Sequence, residues 1–171
     1  MRVLRGDPAV STRRLALLVA AVVVLADQLT KWLAIEGLSD GPVVVIEGFF
    51  AFRYVTNPGA AFGMLPGAGS VIALAAIAAV VFIVVVVRSV DVPAEAIALG
   101  LVMGGALGNL TDRVFRGAGL LDGEVVDFID FDFFPAFNLA DSAITIGALL
   151  ALLLALRPEP ERVPAPGDGP R

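Results

Sequence analysis

The chain has 171 residues, a net charge of −5 and 58% hydrophobic residues, with a mean hydropathy of +0.89. Soluble domains are about 45–50% apolar, and an excess gathered into long runs points to a polytopic membrane protein, one small bundle without a second large domain. The chain holds no Cys and no His, which excludes a disulfide framework, a thiol nucleophile, a Ser-His-Asp triad and most zinc sites.

No basic patch with interleaved aromatics is present, so nucleic acid is not an expected partner. Lys31 is the only lysine. If the protein is an enzyme, its acid–base groups are carboxylates, that lysine or Tyr54.

Residues 1–14 are polar and carry Arg2, Arg5, Arg13 and Arg14. The first apolar run starts at Leu15, takes in Asp27 and Lys31, and reaches Ile35. It predicts a membrane span over 15–35, about the length a crossing needs. A secretory signal cleaved before Asp27 is the alternative. Residues 37–68 form the longest loop, with two short β-branched and aromatic strands near Val43–Ile46 and Phe49–Thr56. The apolar AAFGML that follows reads as a short surface helix or flap near Ala60–Met64.

A second span covers 70–87 and ends at Arg88. The third covers 94–112, where Gly104 and Gly108 are spaced for close helix approach. Residues 114–136 make a second loop, Gly-rich and then Phe-rich, with a break at Pro135. The fourth span covers 138–156, and the Pro-rich 158–171 reads as a disordered tail. Residues 1–157 are thus expected to form a single membrane domain.

Four spans place both termini on one side. That side carries Arg2, Arg5, Arg13, Arg14, Arg88, Arg157, Arg162 and Arg171; the other carries Arg53, Arg113 and Arg116. The positive-inside rule then puts the termini in the cytoplasm and both larger loops outside.

Acids at an apolar boundary are costly unless they have a task, and two of the aspartates in Val125–Ile146, Asp127 and Asp141, stand at such a boundary. With Asn138 as N-cap of the last span, Asp141 falls at the third helical position, beside free N–H groups and the positive helix end. That setting suits a carboxylate, in a plain cap or in a reactive group. Read as a strand, VVDFIDFDFF puts Asp127 on the apolar face with Val125, Ile129 and Phe131, and Asp130 and Asp132 on the other. Desolvation then raises the proton affinity of Asp127. Two carboxylates in contrasting environments are what acid–base hydrolysis uses.

Two further sets share helix faces. Asp27 and Lys31 are four apart, as a structural ion pair or as substrate contacts. Asn109, Asp112 and Arg113 stand at i, i+3 and i+4; the Arg113 fork suits a substrate carbonyl, a lipid phosphate or an aspartate, or interface anchoring.

These blocks together resemble lipoprotein signal peptidase (signal peptidase II), a family of bacterial intramembrane aspartic proteases. The matching stretches are DQLTKW (27–32), VTNPGAAFGM (55–64), GGALGNLTDR (104–113), VVDF (125–128) and FNLADSAITIG (137–147), in the family order. The resemblance implies a four-helix membrane fold with a small extracytoplasmic β-cradle and a short surface helix. It implies cleavage of diacylglyceryl-modified prolipoproteins just before the lipidated Cys, with Asp127 and Asp141 as the catalytic pair. Asn57, Gly105, Gly108, Asn109, Asp112, Arg113, Asn138 and Ala140 match positions that line or support the family's site, and Asp27 and Lys31 match the first block. No cofactor and no metal are expected. Membrane lipids as partners, sensitivity to globomycin-type cyclic peptides, a monomer and a place in the bacterial cytoplasmic membrane are. Residues 114–124 and the tail match no motif.

Rival readings are a small ion- or proton-coupled transporter, suggested by Asp27, Lys31, Asp112 and Arg113, and a Ser–Lys protease using Ser142 and Lys31. A presenilin-like protease would need a Gly-x-Gly-Asp motif, which the sequence lacks. A non-catalytic membrane scaffold is the remaining alternative.

Overall fold

Among the described residues, four apolar helices carry a small antiparallel sheet at one end. The computed structural model describes residues 8–59, 69–117 and 119–157. In chain order these form α1 (Pro8–Leu38), β1 (Val43–Ile46), β2 (Phe50–Asn57), α2 (Gly69–Val86), a 3₁₀ turn (Val87–Ser89), α3 (Pro93–Phe115), β3 (Val125–Phe131), β4 (Phe134–Phe137) and α4 (Leu139–Ala155). The expected surface helix near Ala60–Met64 and the tail 158–171 lie outside the described residues.

Three helices among the described residues are long and apolar enough to cross a membrane: Ser11–Leu38, Gly69–Ser89 and Pro93–Phe115. The fourth, Leu139–Ala155, is apolar but shorter. Large side chains point outward along them all: Leu25 is 71% exposed, Val71 67% and Leu149 55%. Water would penalise such surfaces and lipid does not, so this is a helical membrane protein.

The interior uses small residues. α3 is the axis, packed against α1, α2 and α4. A Cβ on Gly104 would stand 2.7 Å from Val23 Cβ of α1. One on Gly105 would run into the Ala140 carbonyl oxygen and lie 2.7 Å from Ile144 Cγ1 of α4. Absence of a side chain lets these backbones touch, which is how apolar helices pack when lipid offers no hydrophobic drive. Gly105→Val should therefore separate α3 from α4, at a cost of about 1–3 kcal/mol or more. A lowered midpoint in detergent thermal unfolding would show it, and an unchanged midpoint would contradict this packing.

The sheet order is β1-β2-β3-β4. β3 pairs with β2 through Val55↔Asp127 and Asn57↔Val125, and with β4 through Ile129↔Phe137. Three expectations need correction. α1 and α3 overrun their predicted ends, because a helix ends where its capping and tertiary contacts end, not where hydropathy falls. Pro135 is no break; it lies inside β4, at the end of the sheet order, where an edge strand tolerates a missing N–H. The alternating-face reading of β3 holds only in part. Val125, Val126, Asp127 and Phe128 are all buried, since this end of the strand is enclosed on both faces. Asp132 is exposed, but Asp130 is partly buried in an ion pair with Arg53 at 3.1 Å.

Candidate active site

α1 and α3 end where α2 and α4 begin, beside the sheet, and a cavity of about 750 Å³ opens there. Asp127 on β3 and Asp141 on α4 both line it, together with Asn57, Asn109 and Arg113. The remaining walls are mainly apolar, among them Ile72, Val125, Phe137 and Ile144.

Local sequence places Asp141. Asn138 caps α4: its Oδ1 accepts the Asp141 N–H at 3.0 Å, and Asp141 Oδ2 accepts the Asn138 N–H at 3.2 Å. This reciprocal box is the N-cap geometry the sequence predicts. The same Asn138 extends Nδ2 to Asp127 Oδ1 at 2.6 Å, so one fully buried residue reaches both carboxyl groups, Asp127 through its side chain and Asp141 through its backbone N–H.

Each of the four carboxyl oxygens receives an N–H. Asp127 Oδ2 accepts from Asn57 Nδ2 at 3.1 Å, and Asp141 Oδ1 accepts from Asn109 Nδ2 at 2.8 Å. The amides cannot be turned round. Asn57 Oδ1 accepts the Gly59 N–H, Asn109 Oδ1 accepts from Lys31 Nζ, and Asn138 Oδ1 is held by Asp141 N–H. Since an ammonium only donates, the Asn109 orientation follows from chemistry alone.

Asp127 is 2% exposed. Burial pushes its carboxyl from 3.8 up to about 6; the neighbouring Asp141 charge adds to this, and the donors from Asn57 and Asn138 and the Lys31 charge oppose it. The sign for stability follows. A carboxyl with a higher pKa folded than unfolded favours the folded state while protonated, below pH 4, and this is lost as pH rises through about 6. The loss is on the order of 3 kcal/mol. Thermal midpoints between pH 4 and 7 should fall more steeply for the wild type than for Asp127→Asn; parallel curves would contradict the shift.

The other predicted residues divide into two groups. Asn57, Asn109 and Arg113 face the cavity. Asp27, Lys31, Gly105, Gly108, Asp112, Asn138 and Ala140 stand behind its wall. Asp27, Lys31 and Asp112 are completely buried, with Lys31 Nζ 2.8 Å from Asp27 Oδ2 and 2.8 Å from Asp112 Oδ2. Of the two readings of Asp27 and Lys31, the structure supports the structural ion pair, enlarged by a third member. Arg113 also differs from expectation. Its Nη1 donates to the Gly123 carbonyl at 3.1 Å and its Nη2 to the Gly59 carbonyl at 3.0 Å. It staples two loops rather than an aspartate, and at 4% exposure it is no interface anchor.

Sequence reasoning missed Gln28 and Arg116. Gln28 Nε2 donates to Asp27 Oδ2, the Gly108 carbonyl and Asp112 Oδ1. Arg116 Nε pairs with Asp112 Oδ1 at 2.8 Å. The i,i+4 spacing of Asp112 and Arg116 was a usable signal; Gln28 stands inside the DQLTKW block, but its spacing shows none of its three acceptors.

A family model described as signal peptidase (SPase) II matches residues 19–157. The chain is 47% identical over 152 residues to a lipoprotein signal peptidase of Rhodococcus jostii (strain RHA1), covering 88% of this chain and 77% of that one. It is 43% identical over 159 residues to one from Streptomyces griseus, covering 89% and 81%. A solved structure of a bacterial membrane enzyme superposes with a TM-score of 0.73 at 34% identity, covering 82% of this chain and 87% of that one.

Proposed function

The chain belongs to the signal peptidase II family, peptidases that remove signal peptides from prolipoproteins, and we propose that Asp127 and Asp141 perform this hydrolysis as a pair sharing one proton. The observation that carries the reading is the convergence of both carboxyl groups on one cavity, joined through Asn138. Lys31 and Arg113 are buried beside Asp27 and Asp112, and Arg116 pairs with Asp112 from the exposed side. Two adjacent carboxyls cannot cheaply ionise together and titrate as a unit.

Asp127, whose carboxyl burial pushes up to about 6, is protonated and hydrogen-bonds the scissile carbonyl. Asp141, as carboxylate, takes a proton from water, which attacks that carbon. The tetrahedral species then collapses as a carboxyl proton passes to the leaving amine. No covalent enzyme intermediate forms. The bond cut is the one before a diacylglyceryl-bearing Cys. The α4 helix, about 25 Å long at 1.5 Å per residue, is the fourth span. Residues 1–157 form a single membrane domain in the bacterial cytoplasmic membrane, termini inside and the sheet and cavity outside. Globomycin-type cyclic peptides occupy the same cavity, membrane lipids surround a monomeric bundle, and residues 158–171 are a cytoplasmic tail.

Hydrolysis of a lipidated prolipoprotein by the purified protein, and its loss in the two Asp→Asn variants, tests the pair. The transporter reading loses its basis, since its charged residues are largely committed to one another behind the cavity wall. The Ser–Lys reading conflicts with the geometry. Ser142 Oγ donates to the Asn138 carbonyl at 3.0 Å, and Lys31 Nζ is bound to three other acceptors. Ser142→Ala should keep turnover within about threefold of wild type, a change of well under 1 kcal/mol in barrier; abolished cleavage would restore the serine enzyme. EDTA should leave the rate unchanged, because the proposed scheme takes its nucleophile from water activated by Asp141 and its acid from Asp127, and calls on no metal.

A further inference from the structure

We infer that Lys31 is a positioning residue for the hydrolysis: its ammonium sets the spacing of the Asp127 and Asp141 carboxyl groups by tying together the two backbone segments that carry them. The inference rests on the carboxyl-pair reading. Lys31 is fully buried and does not line the cavity, so it acts through other groups.

Three lines run from its Nζ. The first goes to Asp27, 2.8 Å away, whose Oδ1 accepts the N–H of Ala140 at 3.0 Å. Ala140 immediately precedes Asp141. The second goes to Asp112, also at 2.8 Å, whose Oδ2 accepts the N–H of Val126 at 3.2 Å. Val126 immediately precedes Asp127. The third goes to Asn109 Oδ1 at 2.9 Å. Asn109 passes Nδ2 to Asp141, and its Oδ1 also receives Asn138 Nδ2, the same group that reaches Asp127. One ammonium thus reaches each carboxyl twice, through its backbone and through its amide partner.

The arrangement is more than generic stabilisation requires. A buried ion cluster gains little net stability over apolar side chains of equal volume. What it adds is fixed geometry, because charge-assisted bonds are short and directional. α3 makes room for it: a Cβ on Gly108 would lie 2.6 Å from Asp27 Oδ2. The charged groups around the pair, among the described residues, are Asp27 and Lys31 from α1 and Asp112, Arg113 and Arg116 from α3. β2 contributes the neutral Asn57.

The test compares wild type, Lys31→Met and the triple variant Lys31→Met/Asp27→Asn/Asp112→Asn, full length in detergent, on a lipidated prolipoprotein. The triple variant keeps acceptors for the Ala140 and Val126 N–H groups and adds no uncompensated buried acid, but it lacks the ammonium between the two sides and leaves only neutral bridges through Gln28 and Asn138. Displacement of about 1 Å should lower kcat roughly 10²-fold, with KM within about threefold. The two limbs of the bell-shaped pH profile should also draw together, because carboxyl–carboxyl coupling falls as the groups separate. A folded variant with wild-type kcat overturns the inference. So does reduced kcat with unmoved limbs, which means a lower active fraction. Failure of both variants to fold assigns Lys31 to the fold alone and also overturns it. Parallel assays of Asp127→Asn and Asp141→Asn separate this from failure of the pair itself, since only the latter leaves those variants active.

Discussion

Asp127→Asn and Asp141→Asn are each expected to cut the single-turnover rate on a lipidated prolipoprotein by roughly 10²–10⁴-fold, the range for loss of a positioned acid or base. Both should still fold. Each substitution replaces an oxygen that accepts an N–H with an NH₂ group that cannot. At Asp127 the affected partner is Asn57 or Asn138; at Asp141 it is Asn109 or the Asn138 N–H. One bond of about 1 kcal/mol is lost, which a bundle with four packed helices can absorb. The double variant should be scarcely worse than either single one, because two groups sharing one proton act as a unit. Near-normal turnover by either single variant, with intact thermal unfolding, would remove the carboxyl pair from the mechanism.

The apolar helices were readable because long unbroken apolar runs leave few alternatives, and the Asn138–Asp141 box because capping is local. Long-range features were not. The fork of Arg113 is filled by the carbonyls of Gly59 and Gly123, which come from different loops, so helix spacing showed its charge but not its acceptors. Lys31 and Asp27 share a helix and could be paired from sequence. Asp112 joins them only because α3 lies close enough to α1, at Gly104 and Gly108, to bring its carboxylate within 2.8 Å of Nζ. β4 was obscured by Pro135, whose meaning depends on whether a strand has a neighbour on both sides. The burial of Asp127 was legible although the alternation behind it fails at Val126 and Phe128, because α1 and α3 also pack against this strand.

The second large effect concerns the lipid. α2 and α4 each pack on α3 and make little contact with each other, and the cavity is lined by Ile72 of α2 and Ile144 of α4. Acyl chains entering that cleft leave bilayer hydrocarbon, not water, so they gain packing and little hydrophobic transfer. Their contribution is then placement: a chain seated between the helices fixes the depth of the scissile bond relative to the carboxyl pair. An unlipidated prolipoprotein still inserts through its signal segment but lacks that register. Its kcat should fall by roughly 10²-fold or more, the penalty of about 1 Å of misplacement, while KM changes less. Ile72→Asn/Ile144→Asn should slow cleavage of the lipidated substrate and hardly affect the unlipidated one, giving a coupling energy in the double cycle. Equal sensitivity of both substrates would move the lipid out of this cleft, and equal rates on both would end its role in positioning.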